Sequence, residues 1–186
     1  MENTIKKITA PMDKETVRSL KAGDSVRITG TIYTSRDAAH KRMVEALEAG
    51  QGLPIDVTGQ IIYYVGPTPA KPGQVIGSAG PTTSGRMDKY APVLIEQGLA
   101  GMIGKGLRSA EVVEAMKKHG AVYFAAIGGA AAVIAKTIKS YEVLAYDDLG
   151  AEALAKLTVE DFPAIVVIDS QGNDFYKQGI EKYKQD

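Results

Sequence analysis

The 186-residue chain has no cysteine and no tryptophan, only two histidines, and 22 Lys plus Arg balanced by 22 Asp plus Glu. Without cysteine there is no disulfide, no thiol nucleophile, and no zinc or iron–sulfur site built from this chain's own thiolates. A formal charge of zero gives no global field to draw the chain onto nucleic acid or an anionic membrane, which leaves only local basic patches for such contacts. No apolar run approaches the ~20 residues that span a bilayer. The most apolar stretch, Ala121 to Ala135, is alanine-rich and interrupted by Gly128 and Gly129. The N-terminus, Met-Glu-Asn-Thr-Ile-Lys-Lys, lacks the apolar block of a signal peptide. A soluble, cytoplasmic protein is therefore the expectation.

The composition that remains is globular, 45% hydrophobic and 24% charged. The length suits one domain with a real core, and with no linker or internal repeat in view residues 1–186 read as a single domain. Asp13 is placed to cap a helix over 14–20 that Gly23 ends. Val26, Ile28 and Ile32 alternate with polar residues around Gly30, which predicts a strand. Ala39, Met43, Ala46 and Leu47 lie at helical spacing in a predicted helix over 36–49 closed by Gly50. A strand over 61–65 is followed by Gly66-Pro67-Thr68-Pro69-Ala70-Lys71-Pro72-Gly73, where three prolines forbid a helix or a central strand. The loop 77–85 opens a helix expected over 86–97. Beyond it, short strands near 101–103, 122–124 and 141–144 alternate with a helix capped by Ser109 and an alanine-rich helix after Gly129. A last strand over 164–168 runs into a turn cluster, 169–174, which lacks the spacing and the later glutamate of a calcium loop. This alternation predicts an α/β domain with a mixed sheet and flanking helices.

Several residues could carry chemistry. The loop Gly77 to Gly85 combines four small residues, then Pro81, three hydroxyls and Gly85 with Arg86 next to it, a pattern that suits a carboxylate or phosphate at a helix N-terminus. It matches neither the Walker pattern nor the dinucleotide fingerprint, and its composition equally suits an ordinary glycine-rich turn. Arg36 opens the next-upstream helix, where a cation opposes the helix dipole. It reads either as a ligand for a carboxylate shared with Arg86 or as a surface arginine paired to Asp37 or Asp88. His40, one turn on from Arg36, has the spacing to support it. Lys105, between Gly104 and Gly106 after a predicted strand, lies where α/β sheets bind ligands, and a solvated loop lysine is the alternative. His119 suits a helix C-terminus.

Taken together, Gly80-Pro81-Thr82-Thr83-Ser84-Gly85-Arg86-Met87-Asp88-Lys89-Tyr90, Ser35-Arg36-Asp37-Ala38-Ala39-His40-Lys41-Arg42 and Gly104-Lys105-Gly106 closely resemble the C-terminal domain, or β subunit, of the class I iron–sulfur-dependent fumarate hydratases. The β subunit of tartrate dehydratase belongs to the same family. Phe124 to Ala132 and Ile168 to Asp174 extend the resemblance over nearly the whole chain, in order. It implies a swivelling β/β/α domain and reversible hydration of fumarate to L-malate at a site shared with an α subunit. That subunit would carry the [4Fe-4S] cluster on its own cysteines, and this chain would supply no metal ligand. Position by position, the resemblance makes Thr82 the proton-transfer residue, Arg36, Thr83, Arg86 and Lys105 substrate ligands, and His40 a support. It also implies an αβ hetero-oligomer, with a dimer of αβ units as the family's arrangement, and inactivity of this chain alone. Tartrate dehydratase, a hydratase of a substituted fumarate, and a non-catalytic anion-binding or assembly module are the alternative readings.

Overall fold

Apolar residues two apart along β-strands give this chain two packed faces, one inside a closed sheet and one beneath helices. The computed structural model describes residues 4–126 and 131–183. The chain runs β1 (Lys6–Ala10), α1 (Lys14–Ser19), β2 (Ser25–Thr34), α2 (Asp37–Glu48), β3 (Ile61–Tyr63), a 3-10 turn (Ser84–Met87), α3 (Ala91–Glu96) and β4 (Gly101–Gly104). It continues through α4 (Ala110–His119), β5 (Val122–Ala126), α5 (Ala131–Thr137), β6 (Ile138–Ala145), a second 3-10 segment (Asp147–Glu152), β7 (Leu154–Ile168) and α6 (Phe175–Tyr183). The strands form one mixed sheet in the order β1-β2-β3-β4-β5-β7-β6, and a further β2–β7 pairing closes β2, β3, β4, β5 and β7 into a ring. Strands β1 to β5 pair in parallel, whereas β7 runs antiparallel to β2, β5 and β6. This is the mixed α/β architecture with flanking helices that the sequence predicts.

Period-two alternation sorts the core into those two faces. Ile61 and Tyr63 point into the ring with Ile28, Ile103, Phe124, Phe162 and Val166. Their chain neighbours Ile62 and Tyr64 face outward and pack with Met43, Leu94, Met102, Val112, Met116 and Tyr123. Helix α2 joins that outer layer through Ala39, His40, Met43 and Val44, all buried and at helical spacing. Helix α4 starts where the Ser109 hydroxyl accepts from the Val112 N–H and stops at Gly120, whose φ of 79° only glycine adopts without strain.

Four elements depart from expectation. The helix predicted over 86–97 is split: a 3-10 turn occupies Ser84–Met87, and α3 begins only at Ala91. Pro92 in the first turn of α3 explains the break, because its ring and missing N–H exclude a preceding helical turn. Strand β7 reaches back far beyond 164, to Leu154, and β1 and α6 join the expected set. The long β2–β7 ladder survives a register shift between Ile28 and Gly30. Opposite it, Asp161 takes a φ of 53°, a left-handed conformation that Asp tolerates better than most residues.

Candidate active site

The parallel strands β2, β3 and β4 deliver every candidate residue to one edge of the sheet. Beyond Thr34 at the end of β2, Arg36 stands at the N-cap of α2 and offers no side-chain cap. Beyond β3, the Tyr64 N–H donates to the Ile103 carbonyl at 2.8 Å, and the chain loops out through its prolines and returns with Pro81 bridged to Val65. The Thr82 N–H then donates to Tyr64 O at 2.7 Å, Lys105 N–H to Thr82 O at 3.3 Å, and Ser84 N–H to Lys105 O at 2.9 Å. The segment Thr82 to Ser84 thus lies between the extended ends of β3 and β4, with Thr83 bridged in parallel to Lys105. Ligands in open α/β sheets gather at such carboxyl ends.

This arrangement changes how an anion would be held. The loop composition suggests a cradle of free backbone amides, but the Thr82 and Ser84 amides are already bonded within the sheet extension. Side-chain cations are the further anion-binding groups the site offers. Arg36 lies across Gly66, where a Cβ would come within 2.8 Å of its Nη1. Its Nη2 meets Glu152 Oε1 at 3.2 Å and its Nε lies 3.7 Å from Asp37 Oδ1. Arg86, from the 3-10 turn, donates through Nη2 to Asp37 Oδ2 at 2.9 Å. Arg36 and Arg86 both lie within ion-pair distance of Asp37, one of the two partners that the paired-arginine reading names. Lys105 and Thr83 are exposed and Thr82 is half-buried, and among the described residues neither the Lys105 ammonium nor the Thr82 hydroxyl has a partner.

His40 supports Arg36 through the backbone. The ring is fully buried, with Nδ1 2.9 Å from the Arg36 carbonyl and 2.8 Å from Ser35 Oγ. A carbonyl only accepts, so Nδ1 carries the proton and Nε2 is left as a buried acceptor without a partner among the described residues. Tyr64 packs edge-on at 5.4 Å between ring centres. Burial, assisted by the nearby Arg108 charge, depresses the imidazole pKa to about 4 against the opposing pull of the Arg36 carbonyl and Asp37. The unfolded chain therefore binds a proton near pH 6.5 that the folded chain refuses until about pH 4. Stability falls as the pH drops through that window, by up to about 3 kcal/mol from this group. Chemical denaturation at pH 7 and pH 4.5 checks it: His40→Gln should lose less stability on acidification than the parent chain, and equal losses would contradict the assignment.

One residue that matters to the site carries no sequence signal. The side chain of Arg108 is fully buried, its Nε 2.7 Å from Asp88 Oδ1, while Asp88 Oδ2 accepts the Ser109 N–H at 2.6 Å. The guanidinium lies over the Tyr64 and Tyr123 rings, at 5.3 and 4.9 Å. The Tyr123 hydroxyl donates to Gly106 O at 2.9 Å, so Ser84 Oγ, 2.8 Å away, donates to it in turn. These bonds pin both ends of the 3-10 turn that carries Arg86. No three His, Cys, Asp or Glu side chains gather to hold a metal among the described residues, and the sequence contains no cysteine. The Gly128-Gly129 centre of the alanine-rich motif lies outside the described residues. No helix among the described residues is long and apolar enough to cross a membrane.

Comparison with known proteins identifies the family. A family model described as the fumarase C-terminus matches residues 2–179. The aerobic class I fumarate hydratase of Escherichia coli K12 is 48% identical over 153 residues, which cover 81% of this chain and 28% of that protein. Fumarate hydratase 2 of Leishmania major is 42% identical over 174 residues, 91% of this chain and 31% of its own length. The chain thus spans about a third or less of these fumarate hydratases. A Methanocaldococcus jannaschii protein, provisionally assigned as an L(+)-tartrate dehydratase β subunit, is 40% identical over 188 residues, 98% of this chain and 94% of that protein. On the match of its residues 2–179 and on these relatives, the chain belongs to the fumarase C-terminal family, which joins class I fumarate hydratases with tartrate dehydratase β subunits.

Proposed function

We propose that this chain is the β subunit of a class I fumarate hydratase and forms one wall of an active site completed by a separate α subunit. The observation that carries the reading is the gathering of Arg36, Thr82, Thr83, Arg86 and Lys105 at the carboxyl ends of three adjacent parallel strands. A dicarboxylate needs about two or three cations for charge and orientation. Arg36 and Arg86 offer planar forks for its carboxylates, Lys105 a point charge, and Thr83 a neighbouring hydroxyl. Thr82 moves the proton at the carbon next to a carboxylate. A threonine hydroxyl is a poor base near neutral pH, and with no activating carboxylate on it among the described residues, that group is assigned to the α subunit. The [4Fe-4S] cluster is likewise assigned to cysteines of the α subunit, and an αβ hetero-oligomer in the cytoplasm follows.

A second reading has its own support. The relative assigned as a tartrate dehydratase β subunit is matched over 94% of its length, against 28% and 31% for the two fumarate hydratases. Parallel turnover of L-malate, L-tartrate, D-tartrate and mesaconate by the assembled anaerobic complex separates the two. Preference for malate is the expected result. Preference for tartrate would transfer the same residues to tartrate dehydration, and tight carboxylate binding by the isolated chain without turnover in any complex would leave a binding module.

A further inference from the structure

Asp37 stands between the two arginines assigned to the substrate. Its Oδ2 accepts from Arg86 Nη2 at 2.9 Å and its Oδ1 lies 3.7 Å from Arg36 Nε. The latter two atoms are each buried and make no hydrogen bond among the described residues, so a donor and an acceptor face one another slightly too far apart to bond. Arg36 is otherwise fixed from its far side by Glu152 at 3.2 Å and by its packing on Gly66. Arg86 is half-exposed and comes from a turn 49 residues along the chain, and Asp37 is the carboxylate that holds its guanidinium. A negative charge in the first turn of α2 is also favoured there by the helix dipole.

We infer that Asp37 is a positioning residue: it sets the spacing of Arg36 and Arg86 so that their forks meet the two carboxylates of one dicarboxylate. The inference rests on the proposed hydratase reading. Two guanidiniums and a lysine ammonium brought to one strand edge repel one another, and one shared carboxylate both offsets that repulsion and fixes the angle between the forks. The pair contributes little to folding, because ion pairs reaching solvent are worth ~0–1 kcal/mol. Its consequence therefore falls on substrate binding.

The test uses the assembled complex. Asp37→Asn should raise KM for malate by roughly tenfold while kcat changes by less than about threefold, the signature of lost positioning in ground and transition states alike. Asp37→Glu, which keeps the charge on a longer arm, should recover part of the loss. In an Arg86→Ala background Asp37→Asn should add less than it does alone, since the two act through one contact. A wild-type KM in Asp37→Asn, with Arg36→Ala and Arg86→Ala each raising KM, would overturn the positioning role and leave the site assignment standing. If neither arginine variant changes KM, the hydratase reading itself fails. A readout free of activity is side-chain NMR of the isolated chain. The Arg86 guanidinium should rotate slowly in the parent and freely in Asp37→Asn, and identical rotation would contradict the inference.

Discussion

Thr82→Val in the assembled complex should lower kcat by about a hundredfold or more, the range that a positioned acid–base group contributes, while KM moves little. Valine keeps the shape and β-branching of threonine, and the backbone bonds of residue 82, to Tyr64 O and from the Lys105 N–H, do not involve the side chain. Position 82 is only half-buried, so removing its hydroxyl leaves no orphaned polar atom in a core. Steady-state kinetics on a variant with unchanged melting temperature isolate the proton-transfer role. A kcat within threefold of the parent would remove Thr82 from the chemistry and shift attention to groups on the α subunit.

The largest effect on stability is expected at Arg108, which lies outside the family motifs but contacts Asp88 within one of them. Arg108→Met deletes a fully buried cation that pairs with Asp88 at 2.7 Å and lies over two aromatic rings. Asp88 is then left largely buried with the Ser109 N–H as its remaining bond. Breaking a buried pair from one side costs about 3–5 kcal/mol. For a domain of this size that corresponds to a loss of roughly 6–20 °C in melting temperature, measurable by calorimetry or circular dichroism. Because Asp88 closes the 3-10 turn holding Arg86, the same variant should also weaken substrate binding. A melting temperature within about 2 °C of the parent would show that this ion pair does not hold the turn in place.

The sequence reading reached some of these features and missed others for identifiable reasons. Arg36, Thr82, Arg86 and Lys105 stood out because small residues, hydroxyls and cations cluster around predicted strand ends, and three such clusters occur in a family order. Arg108 gave no such signal. It sits in Gly106-Leu107-Arg108-Ser109, which reads as a solvated loop, and its burial depends on Tyr64, Asp88 and Tyr123 from three other segments. Asp37 was visible only as a salt-bridge partner, since the bridge to Arg86 spans 49 residues. The second half of β7 was legible from its unbroken Ile and Val run. Its first half was hidden by Glu160-Asp161-Phe162-Pro163, a sequence that looks like a turn and in fact forms a bulge paired to β2. Backbone amides were expected to cradle an anion, yet the return of Thr82 to Ser84 as a strand-like segment uses two of them. Local composition marks where a loop lies, but long-range pairing decides which of its polar groups remain free.

The central claim is that this chain holds the carboxylate clamps and the proton-transfer hydroxyl of a site it cannot complete alone. Loss of fumarate absorbance, followed anaerobically with iron supplied, tests it in three preparations: this chain, the cysteine-bearing α subunit, and the two together. Turnover only in the combined sample is the predicted result, abolished when the β chain carries Thr82→Val. Fumarate hydration by this chain alone, at the rate of the mixture, would contradict the account.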